Sequence, residues 1–269
     1  MTESDWAADK VALDRPNVAR MWDYFLGGYH NFAIDRQAAE RAIELYPDMP
    51  LVAKVTRAFL RRTVRFLLDQ GIDQFLDIGS GMPTAGNVHE ITQRINPSAR
   101  VAYVDIDPVV IAHSQAILRD VRHAIAVQAD VRRPHEVLAR PEIRGFLDLT
   151  RPVGVLAIAI LHFVPDNAEA RSVIQNLSQS VSVGSLVVLT HATADAVDTA
   201  IAEAGEQNYR RANAPFHFRT HAEVASLMEG LDLVAPGLVY LPQWRPDVDD
   251  DLLDQPQRSA NYGGVGLKR

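Results

Sequence analysis

From Gln74 onward the chain repeats one arrangement: a short apolar run that can end in an acidic residue, then a segment with helical spacing. The runs Phe75–Asp77, Val101–Asp105, Ile125–Gln128, Val153–Ile160 and Leu186–Thr190 read as strands. Gly86–Ile95, Pro108–Arg119, Pro134–Ala139, Ala168–Gln179 and roughly Asp195–Gly205 read as helices between and after them. Strands separated by helices cross over to lie parallel, so the pattern predicts an α/β fold: a mostly parallel sheet with helices on both faces. Two last strands, Leu231–Tyr240 and Gly264–Leu267, have no helix between them and are expected as an antiparallel pair at one sheet edge. That makes seven strands. Thr220 and Glu223 form a capping-box pair at the start of a helix over Ala222–Glu229. The acidic, proline-flanked stretch Arg245–Ser259 is expected to be a mobile loop.

Residues 16–70 read differently. Asp35 is placed as the cap of a helix running through Leu45, ended by Pro47. Val52, Val55, Phe59, Val64 and Leu67 then recur at helical spacing before Gly71. The expected organisation is a helical cap over 1–70 joined within one domain to an α/β core over 71–269. A chain of 269 residues that is 47% hydrophobic has enough apolar surface for one such core.

Charge and composition narrow the function. The net charge is -7, and no segment is rich enough in Lys and Arg to track phosphates, so no nucleic-acid partner is expected. The absence of cysteine excludes disulfides, thiolate metal sites and a cysteine nucleophile, and fits a reducing cytoplasm. MTESDWAADK has no apolar h-region, so it is not read as a signal peptide. The run Val153–Val164 is shorter than the roughly 20 residues a membrane span needs, so no membrane partner is expected. His217 and His221 have ligand-like spacing, but His217 precedes the Thr220 cap and the two share no helical face. No metal site is expected.

The most informative turn is "QFLDIGSGMPTAG" (Gln74–Gly86), where a strand passes Asp77 and turns on Gly79 and Gly81. A dinucleotide turn wants a third glycine, but Thr84 stands there, preceded by Pro83, which counts against a nicotinamide-dependent oxidoreductase. Asp105 and Asp130 end or follow the next two strands. A carboxylate there suits a ribose diol, which donates two hydrogen bonds, and an acceptor at Asp130 suits an adenine amino group. Each aspartate alone reads as a cap or a turn former; three at successive strand ends beside a glycine turn read as a ligand cleft.

"FLDIGSG", "VAYVDIDP", "QADVR" and "AIAILHFVPD" together resemble the successive motifs of class I S-adenosylmethionine-dependent methyltransferases, whose Rossmann-like fold closes on an antiparallel pair. "RMWDYFLGGYHNFAIDRQAAE", "RAFLRR", "LTHATAD", "PGLVYLPQWRPD" and "GGVGLKR" resemble an actinobacterial methyltransferase family of largely undefined substrates, over about Arg15–Arg269. The resemblance implies S-adenosyl-L-methionine as cofactor and S-adenosyl-L-homocysteine as its product. It implies Asp77, Gly79 and Gly81 at the methionine part, Asp105 on the ribose with Asp107 close by, and Asp130 with Val131 at the adenine. Leu161 and His162 would lie under the sulfonium. The chain reads LHFVPD where methyltransferases of nucleobase or amide nitrogen often carry [D/N]-P-P-[Y/F/W], which weighs against those substrates.

His162 and His191 follow apolar strands on the ligand side and are the candidate bases, should the acceptor be a hydroxyl. "DYFLGGYHNF" (Asp23–Phe32) carries two readings: a helix end with a packing turn, or a lid that brings Tyr24 or His30 over the cofactor. The expected function is methyl transfer to a small molecule. The alternative is a catalytically silent cofactor-binding sensor.

Overall fold

The computed structural model describes residues 15–82, 86–248 and 250–269. Three helices lead: α1 (Val18–Phe25), α2 (Ala33–Leu45) and α3 (Met49–Asp69). Then come β1 (Gln74–Ile78), α4 (Val88–Ile95), β2 (Arg100–Asp105), α5 (Pro108–Ile117), β3 (Ala124–Gln128), α6 (Pro134–Ala139) and α7 (Pro141–Phe146). The chain continues through β4 (Gly154–Ala157), α8 (Asn167–Ser180), β5 (Leu186–Ala192), α9 (Thr199–Tyr209) and α10 (His221–Leu227). Two-residue β6 (Asp232–Leu233) and β7 (Val239–Tyr240) precede β8 (Asn261–Leu267).

The sheet runs β3–β2–β1–β4–β5–β8–β6, with β7 pairing further along β8. β1 to β5 are parallel, and β8 is antiparallel to β5, β6 and β7. The order reverses at β1, whose two neighbours are β2 and β4. Such a switch point opens a crevice at the strand carboxyl ends, because the helices leaving the two neighbouring strands go to opposite faces.

Side-chain alternation sorts the strands between two cores. Leu76, Ile78, Ala102, Val104, Val155 and Val187 pack with residues of α6, α8 and α10 on one face. Phe75, Val101, Tyr103, Leu156, Val188 and Val265 pack against Val55, Phe59, Val64 and Leu67 of α3 on the other. Strands buried on both sides are mainly apolar, and here the polar exceptions such as Asp77, Asp105 and His191 fall toward the carboxyl ends. Met21, Phe25, Ala38, Ala39 and Tyr209 build a third cluster that joins α1 and α2 to α9.

Several boundaries differ from the sequence reading, each for a local reason. The cap of α2 is Phe32, one turn before the expected Asp35; the Asp35 carboxylate accepts from Phe32 N, Asn17 N and Arg20 Nε at 2.7–2.8 Å. The strand expected over Val153–Ile160 stops at Ala157, because Ala159 takes a left-handed conformation (φ 52°) and turns the chain away. The helix expected from Asp195 starts at Thr199 under Asp198, since the Asp195 carboxylate instead accepts from His221 N and Tyr262 Oη. The strand expected over Leu231–Tyr240 is split into β6 and β7, and β8 begins at Asn261, three residues before the expected Gly264. The capping box of Thr220 and Glu223 forms at the start of α10.

The stretch expected to be a mobile loop is anchored. Trp244, the residue just before it, is fully buried, with its ring edge-on to Phe59 and Phe66 at 5.6 Å. Arg62 pairs with Asp250 and Arg65 with Asp247, and Arg62 also donates to the Trp244 and Leu241 carbonyls. Removing an aromatic side chain of this size from a core costs about 3–5 kcal/mol. Trp244→Ala should therefore lower the free energy of urea unfolding by that order, with Trp244→Phe far milder. An alanine variant as stable as the parent would show that this segment is not part of the core.

Candidate active site

A cavity of about 310 Å³ opens at the carboxyl ends of β1 to β4. Its sheet side carries Asp77 near the end of β1 with Gly79, Ser80 and Gly81 after it, Asp105 at the end of β2 followed by Ile106 and Asp107, and Asp130 to Arg132 after β3. Its roof comes from α1, α2 and α3, including Asn17, Trp22, Tyr46 and Arg57. Its far end is walled by Phe163, Tyr209, Phe216 and Phe218. Thr84 and Pro83 of the glycine turn lie outside the described residues.

The turn after β1 needs both its glycines. Gly79 and Gly81 have φ of +67° and +66°, and a Cβ on Gly79 would stand 2.4 Å from Ile160. Between them the Ser80 hydroxyl is buried with no hydrogen-bond partner among the described residues. Asp105 ties two loops together: its carboxylate accepts from Gly81 N and from Asp107 N, each at 2.9 Å. Asp107 caps α5 through Val109 N and also accepts from Asn17 Nδ2, which joins the roof to the sheet. Each carboxylate oxygen has two acceptor sites, so both residues retain capacity for a ligand's hydroxyls. Asp130 is held by Arg132, whose guanidinium donates to both its oxygens, and that bond keeps its carboxyl below the usual range.

Burial pushes the Asp77 carboxyl up to about 7; the Arg57 charge nearby opposes this and Asp105 adds to it. Burial likewise raises Asp105 to about 6, against the backbone N–H groups it binds. These groups fit the cofactor that the motifs imply: carboxylates with acceptor capacity for hydroxyl and amino groups, and a glycine turn that leaves the backbone open beside them.

The two histidines differ. His162 lines the cavity, 5% exposed, with Nδ1 buried and unpartnered among the described residues. Burial, reinforced by the neighbouring His191 and the Arg219 charge, lowers its pKa well below the ordinary histidine value. His191 is fully buried and is not among the residues that line the cavity. Arg219 Nη1 donates to its Nε2 at 2.6 Å, so the proton sits on Nδ1, which donates to the Ala192 carbonyl at 2.8 Å. Burial pushes its pKa down to about 3, and neither nitrogen is left for a substrate.

Of the other expected residues, Leu161, Tyr24 and His30 are not among those that line the cavity. Val131 lines the cavity, and Leu161 is buried behind it. Tyr24 Oη donates to Glu40 at 3.1 Å on an exposed surface, and the His30 ring stands edge-on to His113 at 4.9 Å. The Asp23–Phe32 segment folds on Asp23, which accepts from His30 N and Asn31 Nδ2. Gly28 permits that turn, since a Cβ there would fall 2.1 Å from the Asp23 carboxylate. His217 stands 3.3 Å from Glu206, while His221 pairs with the Leu238 carbonyl. No group of three or more metal-binding side chains occurs among the described residues. No helix among them is long and apolar enough to cross a membrane.

The sheet order with its reversed last strand, and the carboxylate-lined crevice at the switch point, define a class I methyltransferase fold. A family model described as S-adenosyl methyltransferase matches residues 4–269, and the chain belongs to that family. A DUF574 family protein from Streptomyces avermitilis is 36% identical, with a TM-score of 0.90 over 95% of this chain and 98% of its own. A candidate methyltransferase from Thermobifida fusca is 35% identical, with a TM-score of 0.89 over 99% of this chain and all of its own (100%). The pyocyanin biosynthetic protein PhzM, 17% identical with a TM-score of 0.51 over 86% of this chain and 58% of its own, shares the fold alone. No curated protein matches the chain by sequence. The protein is thus an S-adenosylmethionine-dependent methyltransferase, not the oxidoreductase weighed against it.

The raised carboxyl groups set a pH dependence. In the unfolded chain Asp77 and Asp105 ionise near the ordinary 3.8, but in the folded protein only near 7 and 6. The folded state then binds more protons across that window, so their contribution is full below about pH 4 and is lost as pH rises toward 7. The ligand-free protein should lose stability from pH 4 to pH 7 by this route, and Asp77→Asn should flatten the loss in denaturant titrations. A variant whose stability keeps the parent's pH slope would show that Asp77 ionises normally.

Proposed function

We propose that the protein methylates a small molecule bound in the far end of the cavity. The observation that supports this is the continuity of one cavity from the carboxylate and glycine end to the aromatic end. When bound, the cofactor supplies an electrophilic methyl group on a cationic sulfur. In this reading Asp105 and Asp107 hold the ribose, Asp130 and Val131 flank the adenine, and Asp77, Gly79 and Gly81 take the methionine portion. Ser80, with its unpartnered buried hydroxyl, joins them.

Displacement at a methyl carbon needs nucleophile, carbon and leaving group in line, so the protein contributes chiefly by position. α1 and α2 roof the crevice, and the aromatic wall gives its far end an apolar surface. His162 faces this cavity as a neutral ring. Its low pKa makes it a poor proton acceptor and leaves it suited to orient an acceptor by a hydrogen bond.

Calorimetric titration with S-adenosylhomocysteine tests the cofactor half. Binding is expected, and Asp105→Ala should weaken it roughly ten- to a hundredfold, the effect of leaving donors unpaired at about 1–3 kcal/mol. Circular dichroism checks that the variant remains folded. A folded variant with unchanged affinity would remove Asp105 from the ribose.

A further inference from the structure

The cavity is divided by charge. Its charged lining residues, Arg57, Asp77, Asp105, Asp107, Asp130 and Arg132, come from α3 and the ends of β1, β2 and β3. At the other end, the residues after β4, in α9 and just beyond it supply rings. Tyr209 and Phe216 stack at 4.8 Å and 21°, with Phe163 at 5.7 Å and Phe218 at 4.9 Å from Phe216, both edge-on. Among the described residues, no ionised side chain lines this end. The buried Arg219 behind it donates to the Leu161, Val164 and Pro165 carbonyls, to Asn167 and to His191, which takes all five of its N–H groups.

An acceptor with a carboxylate or phosphate group would bury that negative charge here without a partner, at a cost of several kcal/mol. A flat ring loses nothing and gains stacked and edge-on contacts. The one imidazole at the boundary, His162, stands 4.7 Å from the Phe216 ring, so a polar group on a bound ring has a hydrogen-bonding partner beside the aromatic wall.

We infer that the methyl acceptor is an uncharged, flat aromatic molecule bearing a hydroxyl, its ring against Phe163 and Phe216 and its hydroxyl toward His162. The inference rests on the methyl-transfer reading above. The acceptor oxygen forms its bond to the methyl carbon as the carbon–sulfur bond breaks; the bonding pair leaves with sulfur and the hydroxyl proton goes to water. A phenolic hydroxyl ionises near 10 and releases that proton without a strong base.

The test is binding by calorimetry, with the protein first titrated with S-adenosylhomocysteine and then, saturated, with phenol, 1-naphthol and 1-hydroxyanthracene. At least one of these arenols should bind ten times or more tighter than 1-hydroxy-2-naphthoate, which adds a carboxylate, and than decahydro-1-naphthol, which is not flat. Phe216→Ala should weaken the arenol at least tenfold and leave S-adenosylhomocysteine affinity unchanged, which also reports that the variant is folded. If S-adenosylhomocysteine fails to bind, the cofactor reading falls and this inference with it. If it binds while no arenol does, or while the carboxylate or the saturated alcohol binds equally well, the inference alone is overturned.

Discussion

Arg219 holds the far half of the molecule in place. Its side chain is buried, 1% exposed, and its five donors reach the Leu161–Pro165 turn, the head of α8 at Asn167, and the end of β5 at His191. Among the described residues no carboxylate pairs with it; Glu223 and Asp166 act on it through space. A buried guanidinium is tolerated only when every donor is satisfied, so the three segments must converge on one point. Their convergence sets the aromatic wall and keeps both nearby histidines neutral. One cation thus shapes a chamber from which it is itself withdrawn.

The opposite half is organised around carboxylates with too few opposing charges. Asp77 and Asp105 sit at adjacent strand ends where burial favours their protonated forms. A fold selected for stability alone would not keep two such groups side by side. Raised carboxyls gathered in a crevice mark a place where a ligand completes the structure. The roof serves the same end, because Asn17 reaches from the start of α1 to Asp107 and caps its own helix at the same time.

Much of this was legible in the sequence. The alternation of apolar runs and helical spacing was sufficient for the parallel sheet, and Thr220 with Glu223 marked the start of α10. The strand-end aspartates marked the crevice because short-range pattern and ligand chemistry coincide there. What was not legible depends on long-range contact. Nothing local tells that Ala159 turns left-handed, or that Trp244 pins an acidic stretch onto α3. Tyr24 and His30 drew attention as polar aromatics near two glycines, yet it is Trp22, two residues before Tyr24, that faces the cavity. Phe163, Phe216 and Phe218 were overlooked, although the "NAPFHF" run after α9 carries rings at alternate positions in an otherwise polar stretch.

The place of β8 has a consequence for the order in which the molecule is made. Among the described residues β6 and β7 have their ladder partners only in β8, which lies between them and β5 and follows both along the chain. Ala260 and Asn261, at its start, also belong to the cavity wall. A nascent chain that has emerged through β7 therefore carries two strand stubs and one open sheet edge, and edges of that kind invite pairing with other chains. The cleft and the protection of the sheet are finished by the same short segment, residues 260–267. Until those residues leave the ribosome, the translating molecule is both incomplete as a catalyst and exposed to its neighbours on the polysome.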